Sequence, residues 1–257
     1  MQLLQGDCLE LMRDLPDGSV DMVLCDLPYG ATRNEWDTVI PLVPLWEQYK
    51  RIVKEDGAIV LFSDGRFTFD LVASNPQMWR YTLIWDKGFP GGFLNANRMP
   101  LRQHEEIQVF YKKLPAYNPQ KTLGTPNHPK GKAAGSGTAR VNNNYGDYNV
   151  VDNSKELGAL KHPTSILRFP KVHPSKAIHP TQKPTDLCRF LVLTYTNVGD
   201  TVLDNCMGSG STGVACIETE RAFIGIEKDP KIFASARCRI LDAAGDMFWR
   251  GKEEAIL

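Results

Sequence analysis

The sequence predicts an α/β fold: a doubly wound, mostly parallel, Rossmann-like sheet that carries one long insertion. Three observations lead there. Short apolar runs of strand character alternate with helical patterns over most of the 257 residues, and such alternation wraps helices around a parallel sheet. One strand runs straight into a glycine loop and a helix, "VLDNCMGSGSTGVAC". From Leu114 to about Ala177 Pro, Gly, Asn and Lys dominate, and "GKAAGSGTARVNNNYGDYN" has no apolar periodicity, too long a stretch for an ordinary connection inside a compact domain.

The elements follow in order. "MQLLQGD" reads as a short strand ending at Gly6-Asp7, "CLELMRDL" has helical spacing, and "PDGSV" is turn chemistry. "VDMVLC" from Val20 is a strand. "PLVPLWEQYKRIVKEDG" reads as a helix stopped by Gly57 as its C′ glycine. "AIVLFS" is a continuous apolar strand of the buried parallel kind, "GRFTFDLVASN" a helix, and "RYTLIWDK" and "EEIQVFYKK" two more strands. After the insertion, "PTDLCRFLVLTYT" is a helix with proline in its first turn. "TVLDNC", "STGVACIETE", "AFIGIE" and "DPKIFASARCRILDAA" then continue as strand, helix, strand and helix, and no internal repeat occurs.

Composition narrows the function classes. Hydrophobic content of 42% and charged content of 23% are ordinary for a globular protein, and the length allows a sizeable core without staples. No apolar run reaches the roughly 18 residues of a spanning helix, and the N-terminus lacks a basic region and cleavage site. The six cysteines form no CxxC pair and most sit in apolar surroundings, so they read as reduced thiols of a cytoplasmic protein, and neither they nor the histidines have metal-ligand spacing. Net charge is zero but uneven: Lys112 to Lys176 carries +8, leaving the rest acidic. A basic insert on an acidic body suggests a polyanionic partner.

Two motifs carry chemistry. Gly208-x-Gly210-x-x-Gly213 follows a strand ending at Asp204, and Glu227 ends the next strand 19 residues after Gly208. Glycines let backbone approach a ligand closely, and the second acid is placed to accept from ribose hydroxyls. A nucleoside-containing cofactor is expected. The loop arrives so late that the strand ending at Gly6-Asp7 completes the half-sheet only if the order is circularly permuted. The other motif is "DMVLCDLPYG", an apolar strand ending in Asp26, followed at once by Leu27, Pro28 and Tyr29.

With these residues in hand, the chain resembles the β group of the amino-group DNA methyltransferases, which use S-adenosylmethionine to modify N6 of adenine or N4 of cytosine. "DLPYG" matches the family's (Asp/Asn/Ser)-Pro-Pro-(Tyr/Phe) motif except that Leu27 replaces the first proline. "LDNCMGSGST" matches the cofactor loop with Cys206 where an aromatic is usual, and "HPTQKP" matches the segment beside the cofactor's methionine end. The resemblance covers Gly6 to Lys113 and His179 to Ala244. It implies a methyltransferase sheet whose catalytic half is residues 1–113, a basic target-recognition insert over 114–177, and a cofactor-binding half of the same domain over 178–257.

The resemblance also implies roles. Asp26, Leu27 (through its carbonyl), Pro28 and Tyr29 are the catalytic set. S-adenosylmethionine is expected to meet Asp7 and Cys8 at the first strand tip, Asp26, and His179, Thr181, Lys183 and Pro184 of "HPTQKP". The glycine loop adds Asp204, Cys206, Met207, Gly208, Ser209 and Gly210, and the last strand tip adds Glu227 and Lys228. Lys121, Lys130, Lys132 and Arg140 of the basic insert are expected on double-stranded DNA. Trp36 in "ATRNEWD" is a lid candidate, with a plain surface loop as the alternative, and Lys87 in "IWDKG" could face the site, although most strand-end lysines are solvated. The implied activity is site-specific N6-adenine methylation of duplex DNA in a prokaryotic or phage setting, since Asp is commoner at the first motif position of adenine enzymes. An N4-cytosine enzyme, an RNA or protein amide methyltransferase, an NAD-dependent oxidoreductase and a non-catalytic DNA-binding module remain open. So do a homodimer and a cognate restriction endonuclease as partners.

Overall fold

The computed structural model describes residues 1–30, 37–124, 160–173, 175, 177–178 and 181–254, with side chains described through residue 245. It divides into two compact units, Met1–Asn118 with Ser165–Leu257, and Pro119–Thr164.

The larger unit holds an eight-stranded sheet. In chain order its strands are β1 (Gln2–Gln5), β2 (Val20–Asp26), β3 (Val53–Ser63), β4 (Trp79–Gly91), β5 (Arg102–Phe110), β8 (Ile166–Arg168), β9 (Thr201–Asp204) and β10 (Ala222–Glu227). The spatial order is β1-β10-β9-β2-β3-β5-β4-β8. Pairing is parallel from β1 through β3, antiparallel on both sides of β5, and parallel again between β4 and β8. The strand after the N-terminus thus lies beside the last strand of the chain, Gln5 opposite Glu227, as the permuted order requires. The chain winds outward in opposite directions from β9 and β2, so these neighbours form the switch point outside whose carboxyl ends such sheets bind ligands.

Alternation along each strand divides the core. Met22, Leu24, Val60, Phe62, Ile107 and Val109 pack on one face with Leu187, Leu191, Val214 and Ile240, which belong to helices α4 (Thr185–Tyr195), α5 (Ser211–Glu218) and α6 (Pro230–Glu254). Val23, Cys25, Ile59 and Leu61 pack on the other with Met12, Leu45, Tyr49 and Leu71, from or just beyond α1 (Cys8–Leu11), α2 (Leu42–Ile52) and α3 (Arg66–Ser74). No helix among the described residues is long and apolar enough to cross a membrane.

Two expectations need correction. The helix expected to run to Gly57 ends at Ile52, and β3 begins at once with Val53. Gly57 is demanded by close packing within that strand, because a Cβ there would lie 2.6 Å from Val53 Cγ1 and 2.8 Å from the Asp21 carbonyl oxygen. The expected insert also ends earlier than Ala177 in packing terms. Ile166–Arg168 pairs in parallel with β4 and buries Leu167, a three-residue edge strand too short to show periodicity in sequence. In the smaller unit, β6 (Thr122–Leu123) pairs antiparallel with β7 (Leu160–Lys161).

Candidate active site

A cavity of about 900 Å³ opens at the carboxyl ends of the central strands. Strand alternation brings its charged wall together. Asp26 follows Met22 and Leu24 on one sheet face, while Glu105 precedes Ile107 and Val109 on the same face. The register is continuous across this row, Asp26 opposite Phe62 and Phe62 opposite Ile107. Lys183, two residues before α4, reaches in from the layer above.

Asp26 is held at both oxygens. Its Oδ1 accepts the Tyr29 hydroxyl at 2.6 Å, and its Oδ2 accepts Lys183 Nζ at 2.7 Å. Lys183 Nζ also lies 3.1 Å from Glu105 Oε2, and Lys87 donates to Glu105 Oε1 at 3.2 Å. Lys183 and Glu105 are only 10% and 16% exposed, so these are desolvated charges, and the set of two acids and two ammoniums is neutral. Burial alone would push the Lys183 ammonium toward neutrality, but Asp26 and Glu105 outweigh it and hold it charged, above its usual range. Burial likewise opposes ionisation of Glu105, and Lys183 and Lys87 overcome it and keep the carboxyl below its usual range. Burial and then the Asp26 charge raise the Tyr29 phenol well above normal, so it stays a neutral donor. Phe67 stacks on one face of Tyr29, with ring centroids 5.1 Å apart.

The substitution at Leu27 has a structural consequence. Its side chain is 3% exposed and packs with Leu45, Leu71 and Cys25 in the core beneath α1–α3. Apolar anchoring of Leu27 restrains the turn in place of a proline ring. Past Tyr29, Gly30 adopts φ +65°, and its N–H donates to Asp37 Oδ1 at 2.8 Å.

The glycine loop lines the same cavity as Asp26. Gly208 takes a left-handed φ of +48°, and its N–H donates to Glu227 Oε2 at 3.0 Å. Asp229 N–H donates to Glu227 Oε1 at 2.9 Å. Each carboxylate oxygen keeps a second lone pair. Asp204 is 4% exposed, and burial pushes its carboxyl up to about 7 despite the Cys206 N–H that it accepts. Tyr49 of α2 fixes the strand tip by donating to Asn205 Oδ1 at 2.6 Å. Ser211 donates to the Lys183 carbonyl at 2.7 Å, which ties the start of α5 to the segment that supplies Lys183.

Most of the expected site residues converge here. Asp7, Cys8, Asp26, Leu27, Pro28 and Tyr29 line the cavity, as do Thr181, Lys183, Asp204, Cys206, Met207, Gly208, Ser209, Glu227 and Lys228. Asp7 also caps α1 through the Leu9 N–H and pairs with Lys228 at 3.2 Å. Two expected residues stand off the wall. Pro184 is the residue before α4, and Gly210 precedes α5 with φ +75°, where a Cβ would meet Ile240 Cδ1 at 2.8 Å. Gly210 serves helix packing against α6. His179, Trp36, Lys130, Lys132 and Arg140 lie outside the described residues, and Lys121 lies in the smaller unit.

Of the two readings of Lys87, the structure favours the site-facing one: it lines the cavity beside Glu105 with its side chain 17% exposed. It shares a strand face with buried Trp85, which is the signal that separates it from a solvated lysine. Glu105 was not anticipated, although an acid two residues before Ile107 and four before Val109 belongs by alternation to the buried face. Among the described residues no cluster of three or more His, Cys, Asp or Glu could hold a metal.

A family model described as a DNA methylase, for the N6/N4 methyltransferases, matches residues 20–237. The chain belongs to this N6/N4 DNA methylase family. The match spans Asp26, Glu105, Lys183 and the glycine loop, so most of the cavity lining lies inside the matched region, while Asp7 and Cys8 precede it. Curated relatives of the methylase include Type II methyltransferase M.HpaI of Haemophilus parainfluenzae, 24% identical over 93% of this chain and 74% of its own length. Another is Type II methyltransferase M.BglII of Bacillus subtilis, 28% identical over 88% of this chain and 65% of its own. Among solved structures, the fold of the methylase superposes on an M1.HpyAVI–SAM complex with a TM-score of 0.60, 24% identity, and 93% and 98% of the two chains covered. It superposes on the PvuII DNA methyltransferase (cytosine-N4-specific) with a TM-score of 0.64, 15% identity, and 95% and 90% covered.

Proposed function

We propose that this methylase is a site-specific DNA methyltransferase that transfers a methyl group from S-adenosylmethionine to N6 of adenine in duplex DNA, with Asp26 as the group that binds the target amine. The observation that carries the reading is one cavity lined both by Asp26 and Tyr29 and by Gly208 and Glu227. The bacterial relatives support a setting in the bacterial cytoplasm. The base assignment rests on the carboxylate at the first motif position. N4 of cytosine is the second reading, favoured by the fold shared with the PvuII enzyme.

The cavity suits the cofactor. Gly208 has no side chain to block close backbone approach: a Cβ there would find no atom nearer than the Cys206 carbonyl oxygen at 3.9 Å. The free lone pairs of Glu227 point to ribose hydroxyls as partners, and Asp7, Cys8 and Lys228 would flank the adenine side. When bound, S-adenosylmethionine supplies an electrophilic methyl on a sulfonium. Glu227→Ala should weaken its binding by roughly 0.5–3 kcal/mol, the range for hydrogen bonds to neutral or charged acceptors. Isothermal titration reads this directly, and unchanged affinity would remove Glu227 from the cofactor site.

An exocyclic amine is a poor nucleophile because its lone pair is delocalised into the ring. Asp26 can accept one amine hydrogen, and the Leu27 carbonyl the other, which favours a pyramidal nitrogen with its lone pair aimed at the methyl donor. Lys183 holds Asp26 Oδ2, so Oδ1 is the oxygen offered to the amine once the Tyr29 hydroxyl yields it. Lys183 is thereby a positioning residue, braced by Glu105 and Lys87. The proton released on alkylation passes to Asp26 or to water. Alignment of two bound reactants supplies much of the rate.

Tyr29 offers the extruded base an aromatic surface, with Phe67 backing the ring. Such stacking is worth about 1–3 kcal/mol per base, comparable with the few kcal/mol of unstacking. Tyr29→Phe keeps the ring and frees Oδ1, so it should retain activity within about tenfold, a loss no larger than one hydrogen bond. Tyr29→Ala should lose most activity and the fluorescence rise of a 2-aminopurine target. Equal single-turnover rates for the two variants would contradict the stacking role.

The +8 balance from Lys112 to Lys176 supports DNA contact by the insert. Affinity should fall with salt at a log–log slope near −0.9 per phosphate neutralised. A flat salt response in an equilibrium binding series would exclude the insert as a phosphate-binding surface.

A further inference from the structure

The connection between β4 and β5 has features that the cavity chemistry leaves unused. It rises from Lys87 and Glu105, both on the cavity wall. β5 runs antiparallel to β3, and β4 antiparallel to β5, so the connection projects from the same sheet edge that carries Asp26. Its tip is folded: Gly92 turns with φ +80° into a single helical turn, Phe93–Asn95, closed by the Ala96 N–H to the Phe93 carbonyl and the Arg98 N–H to the Asn95 carbonyl. That turn raises large apolar side chains into solvent. Phe93 is 70% exposed and Leu94 99%, with Phe89 at 67% beside them.

Charge identifies the partner. The 18 residues from Lys87 to His104 contain no Asp or Glu, but include Lys87, Arg98, Arg102 and His104. Lys87 and Arg102 are paired, with Glu105 and Asp64; Arg98 is exposed and has no carboxylate partner among the described residues. An acid-free projection with apolar residues at its tip and the exposed Arg98 guanidinium beside them is complementary to a base stack flanked by phosphates. Proteins that kink duplexes insert Phe or Leu between base steps in this way. A base leaving the duplex also opens a gap one base step deep, beside the site that receives it.

We infer that the Phe93–Leu94 tip is a wedge for duplex DNA, which enters the stack next to the extruded target base and holds the gap open. This rests on the methyltransferase reading. It adds a partner surface that neither the cofactor cavity nor the basic insert provides. The narrow single turn suits insertion between base pairs, whereas a second copy of the chain would be matched by a broader, self-complementary face.

The test compares the full-length wild type with Phe93→Ala/Leu94→Ala in single-turnover methylation. Two duplexes carry the recognition site found by methylation mapping: one with the target base paired, one with the target opposite an abasic position. The variant should be slower by about tenfold or more on the paired target, the size of one lost stacking contact. On the unpaired target it should match the wild type, because that base leaves the stack cheaply. This second rate also reports that the variant is folded and catalytically intact. Equal rates on the paired target would overturn the wedge, as would an equal loss on both substrates. So would sedimentation showing that the substitutions dissociate a wild-type dimer and that rate follows dissociation. If the wild type methylates neither duplex, it is the methyltransferase reading that fails.

Discussion

Asp26→Ala is expected to abolish methyl transfer, by about 10²–10⁴-fold in single-turnover rate, the usual range for removing one positioned proton acceptor or charge-stabilising group. DNA affinity should change little, because Asp26 acts on the target amine rather than on phosphates. The fold should persist as well. With Asp26 gone, Lys183 keeps Glu105 at 3.1 Å, so no buried ammonium is left unpaired. Asp26→Asn retains a carbonyl acceptor without the charge and should fall between the two. Near-normal turnover by Asp26→Ala, with DNA affinity intact, would displace Asp26 from the centre of the reaction.

The second large effect belongs to Lys183. Lys183→Met removes the donor on Asp26 Oδ2 and leaves Glu105 buried with Lys87 as its remaining ion-pair partner. Breaking one side of a buried pair costs about 3–5 kcal/mol, so the variant should unfold at markedly lower temperature. Its transfer rate should also fall by at least about 100-fold, because a side chain near 10% exposure no longer fixes the acceptor. The double variant Lys183→Met/Glu105→Gln separates these effects. Neutralising Glu105 should recover part of the stability, since the excess negative charge left on the wall is gone, while the rate stays low, since Asp26 is still unheld. Recovery of both together in melting and single-turnover experiments would show that Lys183 serves packing alone.

These two residues illustrate what the sequence makes legible. The strand tip Asp26-Leu27-Pro28-Tyr29 and the glycine loop with Glu227 are local patterns, and each could be read from a dozen residues. The permuted sheet followed from the late arrival of the glycine loop, and β1 does pair with β10. The ion pair of Lys183 with Asp26 spans 157 residues and depends on where α4 is seated, so no local pattern reports it. Glu105 and Lys87 were within reach by strand alternation, but each needed the buried face of β4 and β5 to be known first. Gly57 misled because a glycine after a helical pattern resembles a helix stop, while its actual constraint is the close approach of Val53 and the Asp21 carbonyl within the sheet. Packing that joins distant segments decides such cases.

The reaction proposed for this methylase places a methyl group on the exocyclic amine of one base in a fixed DNA sequence. Sequencing the DNA of cells that express it, with a method that reads N6-methyladenine and N4-methylcytosine, tests this most directly. The account predicts N6-methyladenine at a single recurring sequence with the wild type, and none at that sequence with Asp26→Ala. N4-methylcytosine alone would overturn the choice of base. DNA carrying neither modification, from cells in which the folded protein is present, would contradict the account itself.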